Sequence, residues 1–323
     1  MWRTTIGILL TLALGIAGIP HAPHAQPPGK VYRVGYLTLE RGIDQRFRET
    51  LAQLGYVEGQ NLVLEGRFAQ GNRDHLPALA AELVQLGVEV IVTVTTPAAF
   101  AAKDATTTIH IVMAGATTPV ESGFVTSLTR PGGNLTGLSN TPGPGFRRKQ
   151  LELLKDAVPT ISRVGVFWDS TFQSTLFSDV NAAAQALGMT LLSVDVQRPE
   201  HFDAAFATLI QERVDALVVS AAQQYYSHAK RIIDFATTHR LPTRFTEPGS
   251  VEAGGLMAYS VDWSSIRRRA AVYVDKILQG AKPADLPVEQ PAKFELVLNL
   301  NAARALGLTI SPTFLFLADK VIR

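Results

Sequence analysis

Two kinds of hydrophobic pattern alternate along most of this chain. Short runs such as "VYRVGYL" (31–37), "VEVIVTV" (88–94) and "IHIVMAG" (109–115) are apolar at nearly every position. Such runs predict strands buried on both faces. Between them lie longer stretches with apolar residues at helical spacing. Phe47, Leu51 and Leu54 predict a helix over 44–54 that Gly55 stops, and "DHLPALAAELVQLG" predicts another that ends at Gly87. "NLVLEGRF" (61–68) adds a second strand, and Pro97–Asp104 adds a helix. "RPGGNLTGLS" (130–139) then breaks the rhythm with Pro, Gly and Asn, and is expected to be a crossover between two lobes. The pattern resumes with "RVGVFWD" (163–169), "MTLLSVDV" (189–196), "DALVVSA" (215–221) and "GLMAYS" (255–260) as strands. The intervening helices are predicted near 176–187, 202–213 and 225–239. Buried strands alternating with helices predict an α/β fold of two doubly wound, parallel-sheet lobes.

Two of the apolar runs end alike. "TTPAA" (95–99) follows the third strand and "TTPVE" (117–121) follows the fourth. Ligands of open α/β sheets collect beyond the carboxyl ends of strands, where the next helix presents its N-terminus. Pro suits the first helical turn, and a preceding Thr can cap it. Both turns are therefore expected to open helices at one sheet edge. Thr95, Thr96, Thr117 and Thr118, with nearby N–H groups, would then hold an anion such as a carboxylate. On the second half, Trp168, Asp169, Phe172, Glu247 and Tyr259 fall at strand ends. Aromatic groups there would wall a pocket, and a carboxylate would receive an ammonium. Ser220, at the end of "DALVVSA", is a further candidate. Core packing or a solvated loop is the competing account for each.

Composition adds exclusions. With 323 residues, 46% hydrophobic and 18% charged, the chain can bury a large core, and a net charge of +2 without a basic block argues against nucleic acid. Arg3, the apolar stretch Ile6–Ile19 and "PHAPHAQPPGK" form the layout of a secretory signal peptide, with cleavage expected after Ala25. An uncleaved N-terminal anchor is the alternative. The sequence has no cysteine, which excludes a lipidated N-terminal Cys, Cys nucleophiles and Cys-based metal sites. A freely diffusing periplasmic protein is expected. Nucleophile-elbow, phosphate-loop and paired-His metal motifs are missing from the sequence, so neither catalysis nor a cofactor or metal is expected.

The phrases "LAQLGYVEGQNLVLEGRFAQGN", "TTPAAFAAKDATTTIHIVM", "PVESGFVTSLTRPGGNLTG", "VEAGGLMAYSVD" and "ILQGAKPADLPVEQPAKFELVLNLNAARALGLTI" together resemble one family. It is the ABC transporter substrate-binding family whose better-known members take up tryptophan and tyrosine. The resemblance spans about Val31 to Arg323. It implies a type I periplasmic-binding fold, three hinge crossings, closure on a ligand, and a membrane permease and ATPase as partners. On that plan residues 31–139 and about 256–285 form the first lobe. Residues 140–255 and about 286–323 form the second, and the protein is expected to be a monomer. The resemblance also implies first-lobe ligand contacts at Leu37–Leu39 (hence Thr38), Thr95–Ala98 and Ala116–Thr118. The usual family phrase "DPV" is Thr118-Pro119-Val120 here, which replaces a charge by a hydroxyl. The function expected is delivery of a small carboxylate-bearing solute, an amino acid or related organic acid, to an ABC importer. A ligand sensor that presents the same fold to a membrane receptor is the alternative. An exported enzyme on this scaffold is a third reading.

Overall fold

The computed structural model describes residues 29–143, 145–170 and 176–323. The expected signal segment and Phe172 lie outside them. The first sheet contains β1 (Tyr32–Thr38), β2 (Leu62–Phe68), β3 (Val90–Thr93), β4 (His110–Ala116) and β5 (Leu135–Ser139), in the order β2-β1-β3-β4-β5, all parallel. The inner strands β1, β3 and β4 are mostly apolar because both faces are covered, whereas the edge strand β2 carries Glu65 and Arg67. Val34, Tyr36, Val90, Val92, Val112 and Ala114 meet the helices Gln45–Gln53 and Trp263–Leu278. Leu37, Ile91, Ile111 and Met113 meet the helices Leu76–Gln85 and Thr96–Ala105 on the other face.

The second sheet has the order β12-β11-β10-β9-β8-β6-β7. Its strands are β6 (Arg163–Trp168), β7 (Thr190–Asp195), β8 (Ala216–Val219), β9 (Thr243–Phe245), β10 (Met257–Val261), β11 (Phe294–Asn299) and β12 (Lys320–Ile322). It is parallel except for the antiparallel pair β10–β11. Two core layers again sandwich it, one under the helix Phe146–Ala157 and one under the helices Phe202–Gln211 and Ala229–Thr238.

Two expectations about chain path are corrected. "RPGGNLTGLS" is not all crossover, because Leu135–Ser139 forms the fifth strand of the first sheet. Gly137 permits this, with φ +127° and a backbone so close to β4 that a Cβ would lie 2.3 Å from the Met113 carbonyl oxygen. The crossing follows Ser139. The second correction concerns residues 256–285 and 286–323. β10 belongs to the second sheet, paired with β9 and β11, and the chain returns to the first core only with the helix Trp263–Leu278. Residues up to Glu289 stay with the first sheet, since Ser139 N–H donates to the Glu289 carbonyl at 2.8 Å and Glu289 N–H to that of Gly137 at 3.0 Å.

Three aromatic rings meet where the chain passes between lobes. Phe146 follows the first crossing, Tyr259 precedes the second and Phe294 follows the third. Their centroids are 5.2 Å (Phe146–Tyr259), 4.9 Å (Phe146–Phe294) and 5.7 Å (Tyr259–Phe294) apart. Such offset contacts stabilise by about 0.5–1.5 kcal/mol a pair beyond area burial.

Candidate ligand cleft

The carboxyl ends of β1, β3 and β4 carry the first-lobe candidates. β3 runs into Thr95, whose Oγ1 caps the helix Thr96–Ala105 by accepting from Ala98 N–H at 3.3 Å. Thr96 Oγ1 accepts from Thr117 N–H at 3.0 Å, so the two Thr-Pro turns are tied together. Only the first of them opens a helix. Thr118 has φ +41°, a left-handed conformation uncommon outside Gly, and the chain beyond it makes a turn closed by Ser122 N–H to the Thr118 carbonyl at 2.9 Å. Thr118 N–H is itself taken by Thr141 Oγ1 at 2.7 Å. The expected clamp of N–H groups from both turns is thus corrected, because the Thr117 and Thr118 donors already serve protein hydroxyls. The hydroxyl protons of Thr95 and Thr96 remain to donate. Thr38 is fully buried and accepts from Glu40 N–H at 3.1 Å. Ala98 and Ala116 have their methyls in the first-lobe core, so neither presents a side chain to a ligand.

In the second lobe, Trp168 is half-buried at the end of β6. Asp169 is buried and accepts from Gln224 Nε2 at 2.9 Å. Ser220 follows β8, and its hydroxyl is buried without a partner. Glu247 follows β9 and is half-buried; it makes no capping bond to the helix Pro248–Glu252 behind it. Burial, aided by the charge of Glu40 and opposed by that of Arg267, pushes its carboxyl up to about 7. Glu40 and Arg267 belong to the first lobe, so Glu247 faces it electrostatically. Tyr259 belongs to the aromatic trio at the crossings, and its carbonyl accepts from Gln150 Nε2 at 2.8 Å.

Three residues of this region, Arg267, Tyr36 and Arg244, escaped the sequence reading, and Tyr226 reads from sequence as packing rather than a ligand contact. Arg267 is 5% exposed, donates from Nη1 to the Ala114 carbonyl at 2.6 Å and lies 3.7 Å from Glu40. Its helical phase with Ile266, Ala270 and Ala271 could have marked it as the inward arginine of "IRRRAA". The Tyr36 hydroxyl is buried, and burial pushes it up to about 12 against the charge of Arg267 and the backbone N–H of Asp44. Tyr226, whose hydroxyl lies 3.4 Å from Thr246 Oγ1, is pushed up by burial and by Glu247. Arg244, in the middle of β9, is 5% exposed, and its Nε and Nη1 have no partner. Burial, with Arg147 adding repulsion, pushes it down to about 9. Its signal was a charged residue inside the short run "TRF". Among the described residues no group of three or more His, Asp or Glu could hold a metal, and no helix is long and apolar enough to cross a membrane.

The chain is 27% identical over 264 residues to a tyrosine-binding protein of Clostridioides difficile, covering 81% of this chain and 75% of that one. The crystal structure of an ABC domain from Streptococcus pneumoniae in complex with L-Trp superposes with a TM-score of 0.80 at 26% identity, covering 91% of this chain and all of that one. A conserved domain protein of Vibrio cholerae gives 0.79 at 27% identity, covering 90% of this chain and all of that one. The sequence model described as ABC transporter substrate binding protein matches residues 41–322. The chain therefore belongs to the ABC transporter substrate binding protein family, whose members bind solutes and are not enzymes.

Proposed function

We propose that this chain is the exported solute-binding component of an ABC importer, and that it holds an amino acid or related organic acid between its lobes. One observation carries the reading. Thr93 Oγ1, Ser220 Oγ and two nitrogens of Arg244 are buried without partners. Thr93 ends β3 and Ser220 follows β8, at the carboxyl edges of the two sheets, and Arg244 lies in the middle of the three-residue β9. An unpaired buried polar group costs about 1–3 kcal/mol, so a polar ligand at those edges would offset a standing penalty. The free hydroxyl protons of Thr95 and Thr96, at the N-terminus of a ten-residue helix, suit a carboxylate. The relatives that hold tyrosine and L-Trp favour an amino acid. Closure about the crossings would bury the solute and form the surface that a permease reads.

Native mass spectrometry of the freshly purified protein tests this, followed by a thermal-shift screen of Tyr, Trp, Leu, Ile and simple organic acids. A binder raises the melting temperature by mass action. If no small acid co-purifies or stabilises the protein, the reading fails. Stimulation of a reconstituted permease–ATPase complex by the loaded protein tests the importer role.

A further inference from the structure

We propose that Arg244 is an anion receptor on the second lobe, so that the solute is a diacid: one carboxylate at the Thr95–Thr96 helix end and a second acidic group on this guanidinium. The inference rests on the solute-binding reading above and narrows its substrate class.

Arg244 stands in register between Val218 of β8 and Met257 of β10, near the centre of the second sheet. Val218 and Met257 belong to the core layer under the helix Phe146–Ala157, whereas Phe245 belongs to the opposite layer. Strand alternation therefore turns Arg244 toward that helix. The groups that act on it electrostatically are Arg147, in the first turn of that helix, and Tyr226, in the short helix after β8. Both sit where the second lobe meets the crossings or the cleft edge, which fixes the end of the sheet toward which the guanidinium extends.

A buried arginine normally has a carboxylate, because an uncompensated charge in the interior is expensive. Arg244 has none on Nε or Nη1. No carboxylate is among the groups that act on Arg244 electrostatically, which are Arg147 and Tyr226. Asp169 accepts from Gln224, and the charges felt by Glu247 include Glu40 and Arg267 of the first lobe. Arg147 makes the local charge more positive. Nε and Nη edges form a fork that matches a carboxylate bidentately, and that geometry is what an amine or a hydrocarbon tail could not use. Arg267 is different, since Ala114 and Glu40 already occupy it.

The test is calorimetric titration of the wild-type protein and of Arg244→Met with matched pairs: glutarate, adipate, terephthalate and L-glutamate, each against its own monoamide, with L-Tyr and L-Leu alongside. At least one diacid should bind the wild type about 10- to 100-fold more tightly than its monoamide, the range for a charge-assisted bond to a buried partner. In R244M that ratio should fall to about one, while binding of the monoamide changes little. Equal affinity for diacids and monoamides in the wild type overturns the proposal, even if R244M does not fold. An R244M variant that weakens both members of each pair alike also overturns it, as does an internal water that leaves no diacid preference. Tight binding of L-Tyr or L-Leu with no diacid binding would refute the diacid and leave the solute-binding reading intact. Absence of binding by every compound would refute both.

Discussion

Glu247→Gln separates the electrostatics of the cleft from its packing. In the ligand-free protein the Glu247 carboxyl is raised from 4.5 to about 7, chiefly by burial, with Glu40 adding and Arg267 opposing. Below about pH 4.5 the group is protonated in both folded and unfolded chains, and its full contribution to stability is present. Between about 4.5 and 7 the folded protein keeps a proton that the unfolded chain has released, so stability falls as pH rises. Above about 7 the folded protein carries a buried charge and the contribution is gone. At about 1.4 kcal/mol per pKa unit, the whole shift corresponds to about 3 kcal/mol. Glu247 is only half-buried, so solvent screening lowers the expected effect to about 1–3 kcal/mol. Gln keeps the shape and removes the titration. Urea unfolding, followed by tryptophan fluorescence, should find E247Q and wild type alike near pH 4. Near pH 8, E247Q should be more stable. A difference of the same size at both pH values would refute the reasoning, because it would place the effect in packing.

Three further outcomes are expected. Thr96→Val removes the acceptor for Thr117 N–H, and should cost about 1 kcal/mol in denaturant unfolding and weaken solute binding about tenfold; an unchanged Kd would take Thr96 out of the site. Gly137→Ala would put a Cβ 2.3 Å from the Met113 carbonyl oxygen and 2.6 Å from its nitrogen at φ +127°, so a loss of about 2–4 kcal/mol is expected. Gly143→Ala, with nothing within 4 Å, is the control, and equal melting temperatures for the two variants would contradict the clash. Phe146→Leu and Tyr259→Leu should show a coupling of about 1 kcal/mol in a double-mutant cycle, and strict additivity would mean that the rings do not support one another.

How much of this was legible in the sequence depended on how each element is buried. β1, β3, β4, β6 and β8 are apolar over most of their length because helices cover both faces, and that pattern survives without any tertiary information. β5 was hidden because Gly137 reads as a turn, whereas here it is the residue that lets two backbones approach. β10 was visible as a strand but not its lobe, since membership is decided by pairing with β11, some 30 residues later. Thr95 was legible as a cap because capping is local. The second Thr-Pro turn misled for the complementary reason: the Thr141 hydroxyl, reached across the chain, holds Thr118 out of helical geometry.

The charged residues of the cleft were the least legible part, and the cause lies in what a charge means in a pattern. An arginine between apolar residues reads as the solvent face of a strand or helix, because exposure is the usual state of that residue type. Arg244 and Arg267 are both 5% exposed. Residue type alone does not distinguish Arg267 from Arg268, which is exposed one position later in the same helix; only helical phase does. In the fold, what sets Arg244 and Arg267 apart is the edge to which they belong. Arg267 satisfies a carbonyl of β4 near its carboxyl end, and Arg244 comes from β9, whose carboxyl end leads to Glu247. A core position would gain from replacement of an unpaired arginine by an apolar residue, since the buried charge is a net cost. A receptor position would not, because its cost is offset when the anion arrives. The melting temperature of empty R244M therefore complements the titrations. A rise in the empty protein, together with a smaller ligand-induced shift for diacids, is the pattern of a residue kept for binding at the expense of stability. A fall in the empty protein would mean that Arg244 holds the second lobe together, and that its exposure to solute is incidental.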